Sequence, residues 1–198
     1  MPAANETRLY LVTAARPDLD AFLEAAVRGG VDIVQIREKG LSDRDLLVVL
    51  EEARAVTHRL GVPLVVNDRP DLAVLSGADY VHLGQEDLPV AQARRFGIGL
   101  GQSTHAPKEI DAAEADYIGV GPVHPTPTKA GRPPVGLELV RYAAARARVP
   151  WFAIGGIDAS NVADVVAAGA TRIAVVRAIG EAPDPERAAR ELRNSLER

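Results

Sequence analysis

Gln35, Arg37 and Lys39 occupy alternate positions of one extended segment, so their side chains point the same way. Asn67-Asp68, Gly84-Gln85-Glu86-Asp87 and Gly101-Gln102-Ser103-Thr104-His105 each follow a short apolar run. Thr126, Thr128 and Lys129 come next, then Gly155-Gly156, and finally Arg177. Arg37, Lys39 and Lys129 alone would suit a phosphate. Together with two separated carboxylates, Asp68 and Asp87, and amide oxygens, they suit a phosphate-bridged Mg2+, a hard ion that keeps substrate oxygens in its shell. Gly155-Gly156 at the entry to a helix offers bare backbone N–H groups for a second phosphate.

Each of these residues also has a plainer use. Asp68 could cap a helix beginning near Pro70, and Asp87 could start the next one. Arg37 and Lys39 could pair with Glu38 or Asp43 on the surface. His58 reads as a surface residue and His82, inside an apolar run, as a hydrogen-bonded core residue. His105 and His124 fall on site loops, where functional and structural uses both stand open. No Gly-x-Ser-x-Gly elbow, His-Glu-x-x-His pair or Walker loop occurs. The combination carries the argument, not any single member.

The elements that must position these groups follow from rhythm. Short, nearly continuous apolar runs recur at Leu9–Val12, Val31–Ile36, Pro63–Val66, Asp79–His82, Gly97–Leu100, Asp116–Val120, Trp151–Ile154 and Arg172–Val176. They read as parallel strands covered on both faces. Helical stripes alternate with them: Asp18–Gly29, Asp43–Leu60 behind a Ser42 cap, Asn161–Ala168 with Asp158 or Ser160 as cap, and a last one from Asp184 to Leu196. Eight alternations predict a closed (β/α)8 TIM barrel, with an open doubly wound sheet as the alternative. In such a barrel the polar groups collected above all fall at the C-terminal ends of strands, the rim where reacting groups project. The stretch Gly121–Val135 contains five prolines, cannot be helical, and is expected to act as a lid carrying Lys129.

The 198 residues suit a single barrel domain with residues 1–7 flexible. The 27 acidic and 23 basic side chains leave a net charge of -4, which offers no basic field for nucleic acid. No apolar run approaches the roughly 18 residues of a membrane span, and the N-terminal residues lack a secretory pattern. With no Cys there are no disulfides, thiolate metal sites or Cys nucleophile. A cytoplasmic enzyme on small-molecule substrates is expected, with a homo-oligomer left open.

Gln35-Ile36-Arg37-Glu38-Lys39, Asn67-Asp68, Gly84-Gln-Glu-Asp87, Ser103-Thr-His105, Gly119-Val-Gly-Pro122 with Pro125-Thr-Pro-Thr-Lys129, and Ala153-Ile-Gly-Gly-Ile157 resemble thiamine-phosphate synthases. The motifs occur in that family's order, and the resemblance spans about Arg8 to Leu192. It implies a transferase joining an aminopyrimidinylmethyl diphosphate to a (carboxy)thiazole ethyl phosphate, giving thiamine phosphate and diphosphate, plus carbon dioxide from the carboxylated thiazole. Carried over by position, Gln35 to Lys39, Asn67 and Lys129 would hold the pyrimidine diphosphate. Asp68 and Asp87 would ligate Mg2+, and Ser103 would contact the pyrimidine. Thr126, Thr128, Gly156 and the backbone at Val176 and Arg177 would hold the thiazole phosphate. Arg177 stands where relatives often carry Ser. Three rivals remain at this point: the thiazole tautomerase branch of the same family, a barrel that binds phosphorylated ligands without turnover, and a Schiff-base aldolase. The last needs a strand lysine, whereas Lys39, Lys108 and Lys129 fall on expected loops or helix starts.

Overall fold

The structure, a computed structural model, describes residues 6–126 and 133–197. Its strands are β1 (Leu9–Thr13), β2 (Ile33–Ile36), β3 (Leu64–Asn67), β4 (Tyr80–Leu83), β5 (Gly99–Thr104), β6 (Tyr117–Val120), β7 (Trp151–Ile154) and β8 (Ile173–Val175). They pair in sequence order and close into a barrel where Leu9 of β1 meets Ile173 of β8. Every neighbouring pair is parallel, so the closed barrel stands and the open sheet does not. The helices are α1 (Leu19–Arg28), α2 (Asp43–Leu60), α3 (Pro70–Leu75), α4 (Val90–Ala93), α5 (Pro107–Asp111), α6 (Gly136–Arg146), α7 (Val162–Ala167), α8 (Arg177–Gly180) and α9 (Pro185–Ser195). Among the described residues no helix is long and apolar enough to cross a membrane.

Alternation along each strand divides the core in two. One set of side chains, including Leu9, Leu11, Val34, Val66, Leu100 and Ile118, packs outward against the helices. The other fills the barrel: Tyr10, Val12, Ile33, Val65, Tyr117, Phe152 and Ala174. Tyr10, Tyr117 and Phe152 meet edge to face, with centroids 5.2 to 6.0 Å apart. The ring-filled floor leaves no room for side chains at two inward positions of β5, Gly99 and Gly101. A Cβ on Gly99 would lie 2.3 Å from the Tyr80 ring, and one on Gly101 would lie 2.2 Å from the Tyr117 ring.

Here β5 departs from the sequence reading. It begins two residues later than expected and runs to Thr104, so Ser103 lies on a strand and not on the loop after it. A Gly-Leu-Gly-Gln-Ser run has weak intrinsic strand preference; the neighbouring aromatics supply the reason for its glycines.

Capping follows expectation at α2, where Ser42 Oγ accepts the Asp45 N–H at 3.2 Å and Gly61, at φ 72°, ends the helix. It fails at α7. The Asp158 carboxylate folds back onto Ser160, accepting its N–H at 2.8 Å and its hydroxyl at 2.5 Å, and Asn161 takes the cap position. Asp184, by contrast, caps α9 by accepting the Arg187 N–H. Of the seven residues expected to trail the barrel, Thr7 is buried, and 1–5 lie outside the described residues.

The N-terminal rim is built on a repeated device. The residue just before β2, β4 and β6 is an aspartate: Asp32, Asp79 and Asp116. Each gives its N–H to the carbonyl of a leucine on the preceding strand, and its carboxylate accepts that leucine's N–H: Leu9 at 2.9 Å, Leu64 at 2.8 Å and Leu100 at 2.7 Å. Each also has an arginine beside it, Arg193, Arg54 and Arg94 respectively. Before β8 the corresponding residue is Arg172.

Candidate active site

At the other rim the strand ends open into a cavity of about 410 Å3. Gln35 and Arg37 follow one another along its wall, as the alternation predicts, with Asn67 beside them. Lys39 turns instead toward Asp68, Nζ to Oδ2 at 3.2 Å. Ile36 faces the outer core, and the Glu38 carboxylate is spent on the backbone N–H groups of Ala15, Lys39 and Gly40, so neither side chain reaches the cavity. The Arg37 guanidinium lines the cavity, half-buried, with no hydrogen bond or ion pair among the described residues.

Asp68 and Asp87 come together. Asp68 sits at φ 63°, a left-handed conformation that Asp tolerates better than most residues, and its N–H bonds the His82 carbonyl at 2.9 Å. The positive φ swings its carboxyl into hydrogen-bonding reach of Asp87. Burial raises the Asp68 pKa, and the adjoining Asp87 raises it further, against the opposing pull of Lys39. Neither aspartate caps a helix: α3 and α4 begin behind Arg69 and Pro89, without side-chain caps. Asp87 Oδ2 accepts the Gly84 N–H at 2.6 Å, which holds the loop after β4 closed on itself. Neither aspartate is on the cavity wall itself, although Asn67, the neighbour of Asp68, is. Two crowded carboxylates beside a lysine are a hard-oxygen donor set that fits Mg2+ provided a ligand phosphate supplies the remaining oxygens.

Gly155 and Gly156 form the wall opposite. Their φ values of 106° and 63° favour glycine, and a Cβ on either would collide with Pro122, His124 or Pro125. The Gly-Gly motif therefore serves packing under the proline-rich loop as well as the cavity. Thr126 and Val176 also line the cavity, and so does Arg177, which opens α8 opposite Glu181. Thr128 and Lys129 lie outside the described residues, as does the middle of the segment expected to be a lid. His58 is exposed. His105 Nδ1 bonds the Gly121 carbonyl at 2.6 Å, tying β5 to the loop after β6. His124 Nε2 is buried with no hydrogen-bond partner among the described residues, and its ring is not on the cavity wall.

The sequence reading missed the cavity floor. Tyr10, Tyr117 and Phe152 line it, and His82 is both hydrogen-bonded and part of the site. The signal available was inward parity: Tyr10 lies two residues before Val12, and Tyr117 two before Gly119, on strands already recognised.

Comparison with known proteins places this geometry among relatives. A family described as thiamine monophosphate synthase matches residues 9–179. A thiamine-phosphate synthase from Thermus thermophilus is 55% identical over 199 residues, covering 96% of this chain and 97% of that protein. One from an Arthrobacter species is 50% identical over 226 residues, covering 98% and 95%. Among solved structures, the thiamine phosphate pyrophosphorylase from Pyrococcus furiosus superposes with a TM-score of 0.89 at 32% identity, covering 98% of this chain and 97% of that one.

Proposed function

The chain belongs to the thiamine monophosphate synthase family, and from that premise we propose how its rim performs the transfer. It is a transferase of thiamine biosynthesis that acts on small-molecule substrates. We take the donor to be the diphosphate ester of 4-amino-5-hydroxymethyl-2-methylpyrimidine and the acceptor a thiazole ethyl phosphate, carboxylated or not, and we place the enzyme in the cytoplasm.

In this reading Arg37, Lys39, Asn67 and Lys129 hold the diphosphate, while Gln35 and Ser103 hold the pyrimidine. Thr126, Thr128, Gly156 and the backbone at Val176 and Arg177 take the thiazole phosphate. Asp68 and Asp87 would hold Mg2+, which when bound neutralises charge building on the departing diphosphate. The bond between the methylene carbon and the diphosphate oxygen breaks, its electron pair leaves with diphosphate, and the ring amine delocalises the resulting cation. The thiazole nitrogen closes the new C–N bond with a lone pair it already has, so the chain needs no general base. Its residues have two tasks: to set fixed positive charge where the leaving group develops negative charge, and to keep water from the cation.

The observation that carries this reading is the pairing of two crowded carboxylates, Asp68 and Asp87, with an uncompensated Arg37 on the same rim. Its test is diphosphate release from both substrates, with and without Mg2+, by the parent enzyme and by Asp87→Asn. Asn still accepts the Gly84 N–H, so the loop stays closed while one charge is lost. Activity that depends on Mg2+ and falls at least about 100-fold in the variant is expected. Metal-independent turnover, or a fully active variant, refutes the assignment.

A further inference from the structure

One run of hydrogen bonds crosses the barrel floor and joins five strands. Gln35 Nε2 donates to Tyr10 Oη at 2.5 Å, and Tyr10 Oη lies 2.9 Å from Tyr117 Oη. Tyr117 Oη lies 3.2 Å from His82 Nδ1, and His82 Nε2 lies 3.0 Å from Ser103 Oγ. Both ends, Gln35 and Ser103, open on the cavity. The reading of these two as the pyrimidine's contacts is the premise here.

We propose that this run is directional, and that Tyr10, Tyr117 and His82 are positioning residues that set the hydrogen-bond polarity met by the pyrimidine. The carboxamide nitrogen of Gln35 has only hydrogens to offer, so the Tyr10 oxygen must accept. A phenol carries one hydrogen. That of Tyr10 goes to the Tyr117 oxygen, and that of Tyr117 goes to His82 Nδ1. His82 then carries its hydrogen on Nε2 and gives it to Ser103 Oγ, which turns the serine's own hydrogen away from the imidazole. Burial holds both phenols well above their ordinary pKa, so neither gives up its hydrogen. The outcome is a carboxamide oxygen that accepts at one end and a hydroxyl that donates at the other. A 4-aminopyrimidine presents the complement, amine N–H groups and ring-nitrogen lone pairs. A 4-oxo ring presents an oxygen where the amine stood.

Gly101 is part of the device. A Cβ there would sit 2.2 Å from the Tyr117 ring and 2.6 Å from His82 Nδ1, so the Tyr117–His82 link exists because β5 has no side chain at that point.

The first test reads the unliganded enzyme. Long-range 1H–15N correlation of the imidazole rings, with His82 assigned through His82→Gln, is expected to show Nδ1 unprotonated and Nε2 protonated. The opposite tautomer, or both nitrogens protonated, overturns the proposal whether or not the enzyme turns over. The second test is Tyr117→Phe, which keeps the ring packing and removes one link. The His82 signals are expected to move toward a tautomer mixture. KM for the pyrimidine diphosphate is expected to rise about tenfold with kcat within about threefold, as for lost positioning of the bound ring. Unchanged signals with unchanged KM overturn it. Tyr10→Phe is the companion variant, one link further from the histidine, and is expected to shift the signals less. A parent enzyme without synthase activity would sink the proposed function alone, because the tautomer is read without substrate.

Discussion

The two ends of the barrel use the same residue types to opposite effect. At the N-terminal rim Asp32, Asp79 and Asp116 each accept a leucine N–H from the neighbouring strand and lie beside an arginine. At the C-terminal rim Asp68 faces Asp87, and Arg37 points into open space without an anion among the described residues. Burial raises the pKa of one carboxyl at each end, Asp32 below and Asp68 above. What separates them is the neighbourhood. Backbone N–H groups and Arg193 pull Asp32 back down, whereas Asp87 pushes Asp68 further up. A satisfied carboxylate holds strands in register; a crowded one is, on the proposed function, the one that meets a cation.

Substitutions should sort by rim. The largest effect is expected from Asp68→Asn, which keeps a residue tolerant of the left-handed backbone and removes one of the two charges. kcat/KM should fall about 10²- to 10³-fold while the melting temperature holds or rises, because like-charge repulsion is relieved; a stability loss with normal turnover would reverse the comparison. Arg37→Gln follows, with a drop of about 100-fold in kcat/KM and a stability change within about 0.5 kcal/mol, read by steady-state kinetics and urea melts.

At the opposite rim Asp116→Ala leaves the Leu100 N–H without its side-chain acceptor. It should cost about 1–3 kcal/mol, several degrees of melting temperature, with kcat per folded molecule unchanged. Arg94→Ala should have the smallest effect, under about 1 kcal/mol, because the pair it breaks is largely exposed and Asp116 keeps Leu100. If Arg94→Ala cost as much as Asp116→Ala, the guanidinium would be the working part of the device and not the carboxylate on the strand.

Much of this was legible in the chain. Gln35, Arg37, Asn67 and Gly156 were expected at the C-terminal rim and line the cavity there, because strand parity and strand ends are local properties. The cap at Ser42 was legible for the same reason, whereas Asp158 was misread because its nearest partner, Ser160, lies inside the same turn. The floor was illegible as a unit. Tyr10 and Tyr117 are 107 positions apart, and their hydroxyls meet only when β1 and β6 face each other across a closed barrel. Nor did the chain show why β5 has glycines at 99 and 101, because Tyr80 and Tyr117 fill the space above them only in the closed barrel.

The amino-acid order by itself determined eight strands and their helices, the parity of each strand, and the gathering of cations and carboxylates at one rim. All of these depend on residues a few positions apart. Tertiary structure alone decided which carboxylates would be satisfied and which crowded, that Lys39 would turn to Asp68, and that five polar groups would join into one run across the floor. Hydrogen bonds and charge repulsion act through distance in space, and closing the barrel is what brings those groups within reach.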